Sequence, residues 1–258
     1  MQGLIRATII SLGLFAPALH AEEAPKTTFT VGVGVGVLPE YSGSDDLRFA
    51  VRPVIDYQHE SGFFASTVRG LGYQTKSGPF KVSAAIGMEG ARYDRDRTGR
   101  SGSDELAGMG EIRSTVTANL AGSYEFENGM TLGAKAMMAL NHRDNGNRYQ
   151  FGMTAPLLKT DKHQLRMFAV ADYADRKYMQ TYHGVTAQQS AQSHFAQYKA
   201  KAGFEKVTVG LNHNYQINEK WSLNSTVGAM TLVGDAADSP LTKRKTSPMV
   251  LTSLNYKF

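Results

Sequence analysis

The last eleven residues of the chain, Pro248–Phe258, read PMVLTSLNYKF, and they alternate between two kinds of side chain. One face of this segment takes every second residue: Val250, Thr252, Leu254, Tyr256 and Phe258. A period of two is typical of a β-strand whose two faces meet different surroundings. Most soluble domains end in a frayed, polar tail. This segment therefore predicts a paired, amphipathic strand that continues to the final aromatic residue.

The same alternation recurs along most of the chain. In TTFTVGVGVGV, residues 27–37, Phe29 and the valines take one face while threonine and glycine take the other. Tight polar turns such as Asn128-Gly129 separate several segments, and Asn-Gly favours a hairpin. The other alternating segments are residues 47–57, 63–73, 80–88, 115–126, 130–140, 149–157, 165–173, 198–217 and 221–233.

Repeated alternating segments of roughly ten residues predict an all-β, antiparallel transmembrane β-barrel of the bacterial outer membrane, because one face of each strand meets lipid and the other meets the lumen. A β-sandwich also alternates, but it gives no reason for the aromatic terminal strand. The segments number eleven, and a barrel with both ends on one side needs an even number. We expect twelve strands, with ten as the alternative. The miscount is expected between Tyr173 and Tyr178 or between Phe204 and Val207, where the alternation changes face through a bulge or a missed turn.

The N-terminal segment has the pattern of a secretory signal. Arg6 precedes a short apolar stretch, residues 7–16, and small residues follow as far as Ala21. We expect cleavage after Ala21, so that residues 1–21 are removed and residues 22–258 form a single outer-membrane β-barrel domain. The chain has no cysteine, which excludes thiol catalysis and thiolate metal sites.

No catalytic or metal-binding motif stands out in the sequence. The seven histidines are scattered, and Ser190, Ser193 and His194 have no carboxylate close in sequence, which favours a solvated loop. Four loop aspartates offer oxygen ligands for Ca²⁺, yet Asp beside Gly, Ser or Pro also favours turns. We favour the turn role and predict no enzymatic activity, no cofactor and no metal. These aspartates are Asp45, Asp46, Asp235 and Asp238.

Basic residues predominate on the face expected to line the lumen. They are Arg48, Arg52, Lys81, Arg113, Lys135, Arg148, Arg166, Lys199 and Lys201, against Asp56, Glu89, Glu125, Asp172 and Glu205. An open lumen lined in this way favours anions, whereas a small barrel is usually filled by its own side chains. We favour a plugged or narrow lumen. Nucleic acid is not an expected partner, because the basic residues form no exposed run.

Three segments resemble one protein family: LPEYSGSDDLRF at residues 38–49, YMQTYHGV with the following AQQS at 178–190, and LVGDAADSPL at 232–241. With RGLGY, LAGMGEI and the NYKF end, the pattern resembles the MipA/OmpV family over essentially the whole mature chain. His183 departs from the aromatic residue expected there. The motif residues are Pro39, Tyr41, Gly43, Ser44, Asp45, Asp46, Tyr178, Met179, Tyr182, Gly184, Gly234, Asp235, Ala236, Asp238, Ser239 and Pro240.

The resemblance implies a non-enzymatic outer-membrane scaffold that joins a lytic transglycosylase to a penicillin-binding murein synthase in peptidoglycan metabolism. A narrow anion-preferring channel and a surface adhesin or antigen are the alternatives. The final strand also resembles the C-terminal signal recognised by the barrel-assembly machinery, through Leu254, Tyr256 and Phe258, since an amphipathic strand can add to an existing sheet edge. The expected partners are therefore outer-membrane lipid, the assembly machinery and the two murein enzymes.

Overall fold

Twelve antiparallel strands close into a barrel. The structure is a computed structural model, and it describes residues 27–97 and 101–258. The predicted twelve-stranded all-β barrel is confirmed, and the ten-stranded alternative is wrong. The predicted signal peptide, residues 1–21, lies outside the described residues.

The strands pair with their neighbours in chain order, and the last strand closes on the first. They are β1 Thr28–Pro39, β2 Leu47–Gln58, β3 Phe63–Ser66, β4 Gly70–Ser77, β5 Phe80–Glu89, β6 Thr115–Glu125, β7 Thr131–Ala139, β8 Arg148–Lys159, β9 His163–Ala174, β10 Gly203–Gln216, β11 Trp221–Leu232 and β12 Thr246–Lys257. In the part of the chain that the structure describes, three short α-helices lie between strands, α1 Arg176–His183, α2 Ala187–Gln192 and α3 Gly234–Ala237, together with two 3-10 turns at Asp104–Leu106 and Arg143–Asn145. Among the described residues, no helix is both long and apolar enough to cross a membrane.

The strand missing from the sequence count lies in residues 63–73. This segment is a hairpin of β3 and β4 rather than one strand, and Gly70 begins β4 with a φ of 85° that favours glycine. Neither of the two places where we expected the miscount holds the missing strand. Residues 204–206 hold a β-bulge, seen as a register shift between Phe204 and Lys206. The other place, after Tyr173, is where β9 ends and α1 begins.

Side chains alternate between the outer surface and the lumen along each strand. On β2, Phe49 and Val51 lie on the outer surface and are 67% and 57% exposed, while the flanking Arg48 and Arg52 point inward. An apolar outer band of this kind is what contact with lipid requires, because lipid cannot hydrogen-bond polar groups.

The charged lining differs in four places from the sequence prediction. Arg113, Lys199 and Lys201 were expected to face the lumen, but they lie in loops and are exposed. The alternation that placed them inward does not hold there, since no barrel strand contains them. Lys206 was not predicted, because the bulge at Glu205 reverses the alternation. The Lys206 side chain is 13% exposed and pairs with Glu205.

The two ends of the barrel differ in the length of their connections. At the end where β1 begins and β12 ends, the connections are residues 59–62, 78–79, 126–130, 160–162 and 217–220, which we call the short-turn rim. At the opposite end the connections are residues 40–46, 67–69, 90–114, 140–147, 175–202 and 233–245. In outer-membrane barrels, short turns face the periplasm and longer loops face outward. The connection at residues 40–46, which contains part of the first motif segment, lies at the outward end.

The β1–β12 pair closes the barrel, and aromatic rings cover it near the short-turn rim. Its register runs from Thr30↔Lys257 to Val37↔Val250. The Phe29 and Phe258 rings stack with centroids 5.3 Å apart, and the Phe258 N–H donates to the Phe29 carbonyl oxygen over 2.9 Å. Aromatic rings at this level match the girdles that membrane barrels carry at the interface.

Candidate functional site: the capped end of the lumen

The outward loops pack together over the lumen and form what we call the cap. One buried cluster joins Tyr41, Leu106, Met109, Val185, Phe195 and Leu241. A second joins Ala174, Tyr178, Met179, Ala200, Leu232, Ala236 and Ala237. The three motif segments that are distant in the sequence therefore meet in the cap, and they contribute side chains to its core.

Hydrogen bonds fold the first motif segment and tie it to the residues that directly follow the third segment. The Ser44 hydroxyl accepts from the Asp46 N–H, and Ser44 is 2% exposed. Gly43 has a φ of 103°, and its carbonyl oxygen accepts N–H groups of Lys243 and Arg244 at 2.8 and 3.0 Å. A side chain at Gly43 would be strained by its backbone conformation and would also meet Thr242. Pro39 ends β1 immediately before this loop.

The second segment forms α1 and α2, and both helices begin at a side-chain cap. Asp175 accepts the Tyr178 N–H at 2.8 Å, and Thr186 forms a capping box with Gln189. Gly184 follows α1 and donates its N–H to the Gln180 carbonyl oxygen. Of the remaining motif residues in this segment, Met179 is fully buried and the ring of Tyr182 stacks on Tyr178 at 4.3 Å.

The third segment is tied to the second through its polar side chains. The Ser239 hydroxyl donates to the His183 carbonyl oxygen over 2.6 Å and accepts the Leu241 N–H. The Asp235 carboxylate accepts the Lys201 N–H, whereas Asp238 pairs with Lys245 at the surface. Gly234 has a positive φ of 53° at the start of α3, and Pro240 is half-buried.

The loop aspartates are not gathered around one point. Asp45 and Asp46 are exposed, and Asp235 and Asp238 have the separate partners described above. Over residues 27–97 and 101–258, no group of three or more His, Asp or Glu side chains is placed to hold a metal ion.

A buried ion network lies beneath the cap. Arg148 Nη2 is 3.1 Å from a Glu89 carboxylate oxygen, and Arg148 Nε is 3.7 Å from Asp172. The Gln150 amide donates to Asp172 at 2.9 Å, and the Arg148 guanidinium lies 5.6 Å from the centre of the Tyr178 ring. Arg148 and Asp172 side chains are only 7% and 2% exposed. Three strands, β5, β8 and β9, are thereby joined through the lumen.

A second buried group explains the histidine that departs from the family pattern. His183 is fully buried, and its Nε2 lies 3.1 Å from a Glu205 carboxylate oxygen. The other Glu205 oxygen pairs with Lys206 at 3.1 Å. An aromatic hydrocarbon ring at position 183 would leave this carboxylate with one partner fewer in a buried place. This contact could not be predicted from the sequence, because the bulge changes the direction in which Glu205 points.

The lumen narrows below this network. Leu38, Phe168, Val170 and Met249 form a buried cluster that joins β1, β9 and β12 across the interior. Gly210 makes room for Phe168, since a Cβ there would lie 2.7 Å from the ring. These side chains take up part of the interior, and the plugged or narrow lumen stays a prediction.

Two small cavities remain between the cap and the ion network. One has a volume of about 90 Å³ and the other about 120 Å³. Both are lined by Tyr41, Ser42, Arg148 and Lys206, so they adjoin the same side chains. We refer to the two together as the cap chamber.

The serine and histidine residues considered as catalytic candidates lie on the cap surface and have separate partners. The Ser193 hydroxyl donates to the Gln189 carbonyl oxygen, while His194 Nε2 lies 3.0 Å from Glu105. Ser190 lies in α2. The Glu105 carboxylate also receives Lys243 at 2.6 Å, and hydrogen bonds from Lys243 and His194 lower its pKa. His194 therefore contributes to an ion cluster that joins three loops.

The fold and its capped lumen define the class: this is an outer-membrane β-barrel. A family model described as "MltA-interacting protein MipA" matches residues 31–258, so the chain belongs to that family. The MltA-interacting proteins of Escherichia coli (strain K12) and Shigella flexneri are each 21% identical over 259 residues, covering 99% of this chain and 100% of theirs. An outer membrane channel from Pseudomonas putida F1 has the same fold, with a TM-score of 0.51, 11% identity, and coverage of 93% of this chain and 100% of that one.

Proposed function

We propose that this protein is a non-enzymatic scaffold in the outer membrane that holds a lytic transglycosylase, and with it a penicillin-binding murein synthase, close to the membrane. The observation that carries the proposal is membership of a family described as MltA-interacting proteins, matched over residues 31–258. The relatives in Escherichia coli and Shigella flexneri carry the same name. A lytic transglycosylase is the partner that the MipA/OmpV resemblance implies.

The short-turn rim is the surface that we assign to the partner. Murein enzymes work in the periplasm, and short turns are the periplasmic part of an outer-membrane barrel. The rim turn at residues 217–220 is exposed along its whole length. The motif residues of the cap, in contrast, are used largely in packing and in hydrogen bonds within the cap. The rim is therefore free to hold a partner while the cap stays closed.

The two alternative functions have less support. An anion channel needs an open path, but the cap and the Phe168 cluster lie across the lumen. Inward basic residues such as Lys81 and Lys135 are only half-buried, so water reaches part of the interior. A surface adhesin is motivated by loop length alone, and the longest outward loops contribute to the packed core of the cap.

The absence of native cysteine allows a direct test of the rim. Glu219→Cys places a unique thiol on an exposed rim turn, and Lys199→Cys places one on the exposed surface of the cap. Each variant is coupled to a maleimide-linked polyethylene glycol chain, and its binding to the purified lytic transglycosylase from the same cell is measured in detergent. We expect the polymer at position 219 to weaken binding by about tenfold or more, because it covers the contact surface.

The polymer at position 199 is the matched control and is expected to leave binding unchanged. No binding of the transglycosylase to the unmodified barrel would contradict the scaffold. Binding that is weakened only by the polymer at position 199 would place the partner on the cap instead.

A further inference from the structure

The polar atoms of the cap chamber are incompletely satisfied within the protein. Five buried side-chain atoms that line it have no hydrogen-bond partner among the described residues: Tyr41 Oη, Arg92 Nε, Arg148 Nε, Gln150 Oε1 and Tyr182 Oη. Arg148 Nε faces Asp172 at 3.7 Å, which is an ion-pair contact but too long for a hydrogen bond. Tyr41 and Arg148 are only 5% and 6% exposed. A buried polar group without a partner is costly, so such groups usually meet a ligand or an ordered water.

Four of these five atoms are hydrogen-bond donors. Arginine Nε can only donate, and a tyrosine hydroxyl donates one hydrogen. Burial raises the pKa of Tyr41 and of Tyr182, so both phenols stay protonated at neutral pH. A ligand that complements this lining therefore offers several acceptor oxygens in a small volume.

The charges that line the chamber favour an anion. The basic residues are Arg48, Arg92, Arg148, Lys206, Arg244 and Lys245, and the acidic ones are Glu40, Glu89, Asp172 and Glu205. Three of the four carboxylates already have partners, since Glu89 and Asp172 contact Arg148 and Glu205 contacts Lys206. The lining thus has two more basic than acidic residues, and because Lys245 pairs with Asp238 outside the chamber, one positive charge remains in excess.

The chamber has an exposed basic edge. Arg244 and Lys245 line the cavity of about 90 Å³, and both residues are exposed at the surface of the cap. Positive charge at the mouth of a cleft raises the local concentration of anions. The same cavity has apolar walls at Leu38, Val170 and Leu232, so the part of the ligand that carries no charge also has a surface to contact.

We propose that the cap chamber is a binding site for a small oxyanion, either a phosphate group or a carboxylate, held by Tyr41, Tyr182, Arg92 and Arg148. The oxyanion itself lies in the cavity of about 120 Å³, which all four residues line. Cavities of about 90 and 120 Å³ have room for one such group. This site does not depend on the scaffold function, since it lies at the opposite end of the barrel from the short-turn rim. Its occupant would fill the space beneath the cap and join the loops to the barrel wall.

Titration calorimetry on the refolded protein in neutral detergent tests the site. Sodium phosphate and sodium acetate are titrated separately, and sodium chloride at equal ionic strength serves as the blank. We expect saturable binding of at least one oxyanion. If phosphate binds with the higher affinity, the site takes phosphate groups, and if acetate does, it takes carboxylate groups. The double variant Tyr41→Phe/Tyr182→Phe is expected to bind about tenfold more weakly or worse, because it loses two donors to a charged acceptor.

Tyr198→Phe is the matched control, because the Tyr198 hydroxyl also lies in the cap but already donates to the Asp235 carbonyl oxygen. It is expected to leave the affinity unchanged. If the double variant does not fold, a second readout uses the native sequence alone: the bound oxyanion raises the unfolding temperature of the barrel, and chloride does not. The proposal is overturned if neither oxyanion gives saturable heat or stabilises the barrel. It is also overturned if the folded double variant binds the oxyanion with the native affinity, and in either case ordered water would be the partner of the unpaired groups.

Discussion

Replacing Arg148 with methionine is expected to destabilise the barrel by about 3–5 kcal/mol, the usual cost of removing one partner from a buried ion pair. The change leaves the carboxylates of Glu89 and Asp172 buried without their cation, at side-chain exposures of 16% and 2%. Unfolding in urea can be followed through the fluorescence of Trp221, since the chain has one tryptophan.

Two controls separate loss of the network from loss of an arginine. Arg166→Met removes a half-buried inward arginine that donates to the Gly129 carbonyl oxygen, and its cost is expected to be about 1 kcal/mol. Adding Glu89→Gln and Asp172→Asn to Arg148→Met should recover most of the lost stability, because the buried charges are then removed. Equal destabilisation by Arg148→Met and Arg166→Met would show that the network has no special role.

Deleting Leu254–Phe258 is expected to reduce the amount of folded barrel by more than tenfold. The deletion removes the pairs from Thr30↔Lys257 to Val33↔Leu254. It leaves part of β1 as an open edge in the membrane, where each unsatisfied backbone group costs several kcal/mol. The same residues include the proposed signal for the barrel-assembly machinery. Folded barrel is measured by its altered gel mobility without heating.

A matched pair of substitutions separates the aromatic signal from strand pairing. Phe258→Trp keeps an aromatic ring against Phe29, whereas Phe258→Ser removes the 5.3 Å stack and preserves the chain length. We expect Phe258→Trp to give a near-normal amount of folded barrel in cells, and Phe258→Ser to give a reduced amount. Assembly of the truncated chain at the native level would show that neither the pairs nor the signal is needed.

The barrel could be predicted from the sequence because its evidence is local. Each strand shows a period of two within about ten residues, and even a bulge at Glu205 interrupts that period only once. The β3–β4 hairpin was missed because its connection, residues 67–69, is short and has no Asn-Gly or Pro-Gly pair. Only Gly70, at the start of β4, marks the break.

The cap could not be predicted in the same way, because its contacts join residues far apart in the chain. Tyr41 and Leu241 share one buried cluster although two hundred positions separate them. The family resemblance identified the segments concerned, but it did not show that they pack on one another. Likewise, the partner of His183 is Glu205, whose direction depends on the bulge.

The central claim is that the short-turn rim, and not the cap, holds a murein enzyme, and crosslinking in living cells tests it most directly. A photo-reactive phenylalanine analogue is introduced in place of Glu219 on the rim or, as the control, in place of Lys199 on the cap; both positions are exposed. After illumination, crosslinked proteins are identified by mass spectrometry. We predict a lytic transglycosylase crosslinked through position 219 and absent from position 199. A transglycosylase captured only through position 199, or no envelope enzyme captured through position 219, would contradict the account.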